Sequence, residues 1–383
     1  MTRVRPSSPP RRSKARLRWR LAGIAVGMGL AAPSHLPSTD VPAPGRSLRQ
    51  AVASQQAPEL STQIAALGRG FDGRVGIAVR DIDEGWTAAF DGDSRFPQQS
   101  VSKLWVALAV LDAVDRGAMA LDDTLVVRKQ DLSVFHQPLR THVGDRGFPV
   151  SLRDLLRGAI AQSDNAANDM LVKQVGGQGQ VQALLDRHRL KGVWASPPEK
   201  VMQAKIAGLD WKPEYSFGLT FWADRDTLSP EARAVNLDAY LQNPDDPATP
   251  IGLVSALARL KRGELLRPAS TALLLGIMTD TETGTGRLPA GLAPGWTLAH
   301  KTGTGQVMGA VATGFNDVGI MTAPDGHTYA IAVMVAQTRR SVAERQDLMA
   351  AVARAVVAHH QRHNQAKAVD PTSLRAADGG SPG

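Results

Sequence analysis

Apolar and polar residues alternate at period two over Arg74-Val75-Gly76-Ile77-Ala78-Val79-Arg80, the spacing of a half-buried strand. Asp83-Glu84-Gly85 supplies a turn, and Trp86 to Phe90 reads as a second strand. The next strand patterns lie far along the chain, at Trp296 to Lys301, Val311 to Thr322 and Tyr329 to Gln337. Pro324-Asp325-Gly326 predicts a turn between the last two.

Between these two sets the apolar spacing is mostly helical. Val101 to Val114 predicts an apolar helix ending near Gly117. Ser151-Leu152-Arg153-Asp154 has the form of a capping box that opens another helix. Ser229-Pro230 and Thr249-Pro250 each place an N-cap residue before a Pro at the first helical position. These predict helices over Pro230 to Leu241 and from Pro250 to near Gly263, and Ser341-Val342-Ala343-Glu344 caps a last one running towards His360. Strands at both ends with helices between predict an α+β fold. One antiparallel sheet is closed by the two terminal segments, and an all-helical lobe at about 118–280 is inserted between them. A cleft between sheet and lobe is the natural place for a site.

The formal net charge of +8 would suggest a polyanionic partner, but its distribution removes that reading. Residues 1–20 carry eight basic residues and no acidic one, so they account for the whole excess. No nucleic-acid binding is expected. The basic run leads into the apolar stretch Leu21 to Ala32, too short for a comfortable membrane span. That layout predicts a secretory signal peptide over 1–32, and hence a periplasmic or secreted protein with no membrane span after cleavage. Arg11-Arg12 leaves the twin-arginine route open. Residues 33–57 read as a linker, 58–363 as the folded domain and 364–383 as a disordered tail. The absence of cysteine excludes disulfides, thiolate catalysis and Cys-ligated zinc.

Three short motifs carry the chemistry: Ser100-Val101-Ser102-Lys103, Ser163-Asp164-Asn165 and Lys301-Thr302-Gly303. Taken singly, each has a local structural explanation: a helix start, a polar helix end, a strand running into a turn. At i, i+3, however, Ser100 and Lys103 can share a helix face. A Ser is a weak nucleophile until a neighbouring base activates it, and an amine in a dry cleft loses its proton at modest cost. A strand end such as Lys301 to Gly305 offers backbone hydrogen bonds to an extended substrate.

In this order the motifs read S-x-x-K, S-D-N and K-T-G, and the chain resembles the class A-like serine β-lactamases and the wider penicillin-recognising superfamily. The resemblance runs from about Pro58 to His360 and implies a five-stranded sheet. It implies Ser100 as nucleophile, either Lys103 or Glu199 as the group that takes its proton, and Ser163 as a proton relay between Lys103 and the leaving nitrogen. Asn165 would hold the substrate amide and orient Lys103, while Asp164 ties down its loop. Lys301 would bind the substrate carboxylate, helped by the hydroxyls of Thr302 and Thr304. The N–H groups of Ser100 and Thr304 would form the oxyanion hole.

Class A enzymes also need a Glu that deacylates through a water, in the string E-x-x-L-N. That string is absent. Glu199-Lys200-Val201-Met202-Gln203 stands at the family's separation from Asn165, with Met for Leu and Gln for Asn. Glu199 is the expected general base in a Pro-rich loop, with Gln203 helping to hold the water. Other departures are clear. Pro197-Pro198 replaces the usual loop-pinning Arg, Ala310 stands where many relatives place an Arg, and Arg345 is the substitute candidate for binding the carboxylate. The segment 204–248 is long and carries Trp211, Tyr215, Phe217, Phe221 and Trp222, which are expected to pack as a small core. Thr281 to Arg287 resembles the loop that leads into K-T-G.

His359, His360 and His363 are expected to complement a helix C-terminus, and His300 to tune the site or face away from it. No metal and no organic cofactor is expected. The predicted protein is a monomeric hydrolase opening small-molecule β-lactams. The rival readings are a D-Ala-D-Ala peptidase-like or penicillin-binding protein with poor deacylation, and a non-catalytic β-lactam sensor.

Overall fold

The computed structural model describes residues 57–369. The expected signal peptide, all of the linker but its last residue, and the tail from 370 lie outside the described residues. Helix α1 (Pro58–Gly70) precedes strands β1 (Gly73–Asp81), β2 (Thr87–Phe90) and β3 (Phe96–Pro97). The central elements are α2 (Lys103–Asp115), β4 (Thr124–Val127), β5 (Phe148–Ser151), α3 (Leu152–Ile160), α4 (Asn165–Gln174), α5 (Gln178–Arg187), α6 (Glu199–Ile206), α7 (Thr220–Asp226), α8 (Pro230–Gln242), β6 (Pro247–Ala248), α9 (Pro250–Lys261) and α10 (Pro268–Thr279). Strands β7 (Thr297–Gly303), β8 (Val307–Met308), β9 (Val311–Thr322) and β10 (Thr328–Thr338) lead to α11 (Val342–Val369).

The main sheet is antiparallel in the order β2-β1-β10-β9-β7. The expected five strands are thus present, and two-residue β8 adds a sixth by pairing back onto the start of β9. Strand β10 shows why both faces are covered. Ile331, Val333 and Val335 point into a core with α1 and α11, while Ala330, Ala332, Met334 and Ala336 point into the core of the helical lobe. This is the period-two alternation of a strand buried on both sides. The alanines let α9 lie close against the sheet. Helix α2 is buried nearly all round, from Lys103 to Leu111, which explains its uniformly apolar sequence.

The caps read from sequence are present: Ser151 accepts from the Asp154 N–H, Ser229 from Ala232 and Thr249 from Gly252. Two boundaries differ. Ser163-Asp164-Asn165 does not close a helix. Asp164 opens α4 as its N-cap, accepting the Ala167 N–H at 2.9 Å and the Leu139 N–H at 2.6 Å. Helix α11 runs through 364–369, the start of the expected tail. The three histidines are therefore not at its C-terminus and do not serve its dipole. His360 reaches Asp325 at 3.2 Å and His363 reaches Glu84 at 3.0 Å, so they dock the helix on the sheet's loops.

Candidate active site

Ser100 lies in a 3₁₀ turn, Gln99–Ser102, that leads directly into α2, whose first residue is Lys103. The turn is entered through Gln99 at φ +52°, and Ser163 sits at φ +61°. Both are non-glycine residues in the left-handed region, a conformation held only by surrounding structure and frequent at functional sites. Strand β7 passes beside the turn at Gly303. A Cβ there would collide with the Gln98 carbonyl oxygen, so only glycine permits the approach.

Lys103 is fully buried, and its Nζ has three hydrogen-bond acceptors. They are Ser100 Oγ at 2.6 Å, Asn165 Oδ1 at 2.8 Å and Glu199 Oε1 at 2.5 Å. An ammonium has three protons, so the set is complete. Ser100 Oγ lies 3.5 Å from the same Glu199 oxygen. The other Glu199 oxygen accepts from Gln203 Nε2 at 3.3 Å. Asn165 donates through Nδ2 to Val134 O at 2.9 Å, which orients its oxygen toward Lys103. Lys301, also fully buried, donates to Ser163 Oγ at 2.8 Å. Burial, and then the nearby charge of Lys103, push the Lys301 ammonium well below the usual lysine range.

The structure therefore brings Ser100, Lys103, Asn165, Glu199 and Gln203 into one hydrogen-bonded network, with the Lys301–Ser163 pair near enough for the charges of Lys103 and Glu199 to act on Lys301. Thr302 and Thr304 flank it with hydroxyls already engaged. Thr302 Oγ1 pairs with Thr283 Oγ1 at 2.6 Å, and Thr304 Oγ1 accepts from Arg287 Nη2 at 2.6 Å.

The Glu199 segment departs from expectation. Glu199 is the first residue of helix α6 rather than part of a loop, because Asp169 from α4 caps that helix end. The two Asp169 oxygens accept the backbone N–H groups of Glu199 (2.6 Å) and Lys200 (3.2 Å). Burial, then the charge of Glu199, raise the Asp169 carboxyl to about 6.

With no Arg at Pro197-Pro198, a different network closes the far end of the segment. Asp246 accepts the Gln99 backbone N–H at 2.5 Å and the Tyr240 hydroxyl at 2.9 Å. The Gln99 side chain accepts from Gln203 Nε2 at 2.8 Å and donates to the Tyr240 oxygen at 2.5 Å. Gln306 adds a strap, donating to Gln203 O at 2.8 Å. Burial raises the Asp246 carboxyl to about 7. Its folded pKa thus exceeds the unfolded value, so the folded state holds the extra proton between about pH 4 and 7. The stability it contributes is present below that window and is lost as pH rises through about 7. In urea unfolding from pH 4 to 8, Asp246→Asn should therefore gain on the parent as pH rises, by up to about 4 kcal/mol. A stability difference that is flat with pH would contradict this.

Arg345 is not the substitute cation. Its guanidinium lies on the Phe315 ring at 4.6 Å, and its Nε donates to Ser341 O. Arg287 instead reaches the K-T-G strand. It stacks on Phe315 at 3.8 Å and donates to Gly303 O (3.0 Å), Asn316 O (2.6 Å) and Thr304 Oγ1. Burial lowers it to about 10. Its loop was recognisable in the sequence, but no local spacing marks an Arg that reaches across β7. His300 faces Asp317 at 2.8 Å, away from the cluster.

Of the five aromatics expected to pack as a small core, Tyr215 and Phe221 are buried and Trp211 packs against them, whereas Phe217 and Trp222 stay exposed. Tyr215 and Phe221 form a small core with Val134, Ala204 and Ala207, covering the helix that carries Glu199. Phe135 is stacked on Trp222 at 5.2 Å and edge-on to Phe221 at 4.8 Å. These rings also line a cavity of about 480 Å³ that is bounded by Gln203 and Thr304 to Val307.

Residues 59–360 match the model of the family described as "Beta-lactamase enzyme family". The chain belongs to that family. A β-lactamase of Bacteroides uniformis is 30% identical over 308 residues, covering 80% of this chain and 92% of that protein. The β-lactamase VEB-1 of Pseudomonas aeruginosa is 27% identical, covering 76% and 86%. Among solved structures, a class A β-lactamase from Bacteroides cellulosilyticus DSM 14838 aligns with a TM-score of 0.64 at 26% identity, covering 80% of this chain and 98% of that one. A β-lactamase from Chitinophaga pinensis DSM 2588 aligns at 0.62 and 28%, again covering 80% and 98%. The antiparallel sheet with its inserted helical lobe is the β-lactamase fold.

Proposed function

We propose that this β-lactamase opens β-lactam rings in two steps, through an acyl-enzyme on Ser100. One observation carries the reading: Glu199 Oε1 faces both Lys103 Nζ at 2.5 Å and Ser100 Oγ at 3.5 Å, with the Gln203 amide on its other oxygen. As a three-proton donor, Lys103 polarises Ser100 Oγ rather than accepting from it. Glu199 then takes the Ser100 proton directly across their 3.5 Å contact. Ser100 Oγ bonds to the lactam carbonyl carbon, and the N–H groups of Ser100 and Thr304 receive the oxyanion. The C–N bond breaks as Ser163 relays a proton from Lys103 to the departing nitrogen, and Lys103 recovers one from Glu199, which is a carboxylate again when the water arrives. A substrate carboxylate near Lys301 favours the charged ammonium, which burial otherwise disfavours. Glu199 and Gln203 then hold the water that attacks the ester, releasing the ring-opened acid and restoring Ser100.

The substrate is a small molecule. Among the described residues no helix is long and apolar enough to cross a membrane. Export to the periplasm or medium through the leader at 1–32, and action as a monomer, belong to the same proposal. Its basis is the basic-then-apolar order of residues 1–32.

The test is benzylpenicillin turnover by the mature domain, followed by absorbance and by intact-protein mass spectrometry of acid-quenched samples. We expect many turnovers per enzyme and a transient adduct of one penicillin mass, mapping to the peptide that contains Ser100. A stable adduct with no turnover would replace this reading with the penicillin-binding one.

A further inference from the structure

We propose that Asp81, Asp83 and His327 form a structural site for a zinc-class divalent cation, at the end of the sheet remote from Ser100. The β1–β2 turn supplies both carboxylates and the β9–β10 hairpin supplies the imidazole. His327 Nε2 lies 2.7 Å from Asp81 Oδ2 and 3.8 Å from Asp83 Oδ2, and the three ligand atoms all fall within 4.8 Å of one another. A tetrahedral centre with zinc-length bonds spaces its donors about 3.3 Å apart, so little movement is needed.

The groups around these donors hold them in place. Asp81 is almost wholly buried. Its Oδ1 accepts the backbone N–H groups of Asp83 and Glu84, which fixes the carboxylate and aims Oδ2 at His327. Asp83 Oδ2 accepts the Thr328 N–H at 2.7 Å and the Thr328 hydroxyl at 3.0 Å, and the hydroxyl gives way when that oxygen takes the cation. Outer hydrogen bonds of this kind are what orient metal ligands. Asp83 is itself exposed, which leaves a fourth position open to water.

One imidazole with two carboxylates is a borderline donor set that suits Zn²⁺ better than Mg²⁺ or Ca²⁺. Thr328 pairs with Thr322 of β9, whereas Gly303 pairs with Asn316 of the same strand. The interval corresponds to roughly 20 Å. The cation therefore clasps the turn to the hairpin and takes no part in the reaction. This site departs from the expectation of no metal, which considered only the helix histidines and His300.

The experiment uses the metal-stripped mature domain with Zn²⁺ and, separately, Co²⁺ as a spectroscopic probe. We expect one equivalent of Co²⁺ to give a visible absorption band. Zn²⁺ at about a hundred times its Kd should raise Tm by roughly 3–6 °C. His327→Gln and Asp83→Asn should each abolish both signals, and the control His359→Gln/His363→Gln should keep them. Penicillin turnover well below the melting transition should be unchanged by metal. The proposal is overturned if the parent gives no signal, if either signal survives in His327→Gln or Asp83→Asn, or if the control loses it. A metal effect on turnover would overturn the structural role.

Discussion

Glu199→Gln should leave the protein acylated. The variant keeps the shape of the side chain and its contact with Gln203 but has no base for the deacylating water, whereas acylation passes to Lys103, which without the neighbouring carboxylate loses its proton more readily in the buried site and accepts that of Ser100. Steady-state turnover of benzylpenicillin should fall about 10²–10⁴-fold, the usual contribution of a positioned general base. Intact mass should show the adduct accumulating on Ser100 rather than passing through. If the variant turned over at the parental rate with no adduct, another group would have to activate the water. Asp169 adjoins that part of the site, but both of its oxygens are committed to capping α6.

Lys103→Ala should damage both rate and stability. Among the described residues its Nζ is the only ion-pair partner of Glu199, and the pair is buried at 2.5 Å. Removing one partner of a buried ion pair costs about 3–5 kcal/mol, because the other charge stays buried without compensation. Turnover should drop by a further factor on the order of 10²–10⁴, since Ser100 loses the donor that polarises it. The second mutation separates the two effects. Lys103→Ala/Glu199→Gln should recover much of the lost stability in urea unfolding and none of the activity. If the double variant were no more stable than Lys103→Ala, the cost would lie in lost packing around the lysine stem rather than in a stranded charge.

The sheet strands and the helix caps were legible because each rests on a short-range rule. Alternation at Arg74 to Arg80 and Ser or Thr before Pro at 229 and 249 need no knowledge of the rest of the chain. The cluster was legible by resemblance, from three motifs in order, and the structure draws those residues together. Three features escaped because their causes lie far apart in sequence. Glu199 begins a helix only because Asp169 caps it from α4. The missing pinning Arg is made good by Tyr240 and Gln99, which meet at Asp246. Arg287 reaches Thr304 only once β7 and the preceding loop are folded together. The helix α11 boundary escaped for a related reason: Asn364 donates to Asp325 in the hairpin, which a polar sequence run gives no sign of.

The sheet's strand order has a consequence for how the protein is made. Strand β1 sits between β2 and β10, with Gly73 beside Thr338. A ribosome releases β1 early and β10 almost last. Closing so long a loop must precede the contacts that reward it, so folding is slow and waits for the whole chain. Until then β1 has one unpaired, apolar edge, which favours association with other chains. A delay of that kind is compatible with the proposed export, in which the chain would cross a membrane before it folds. It also means that no fragment ending before Thr328 can assemble the sheet that carries Lys301 to Ser163.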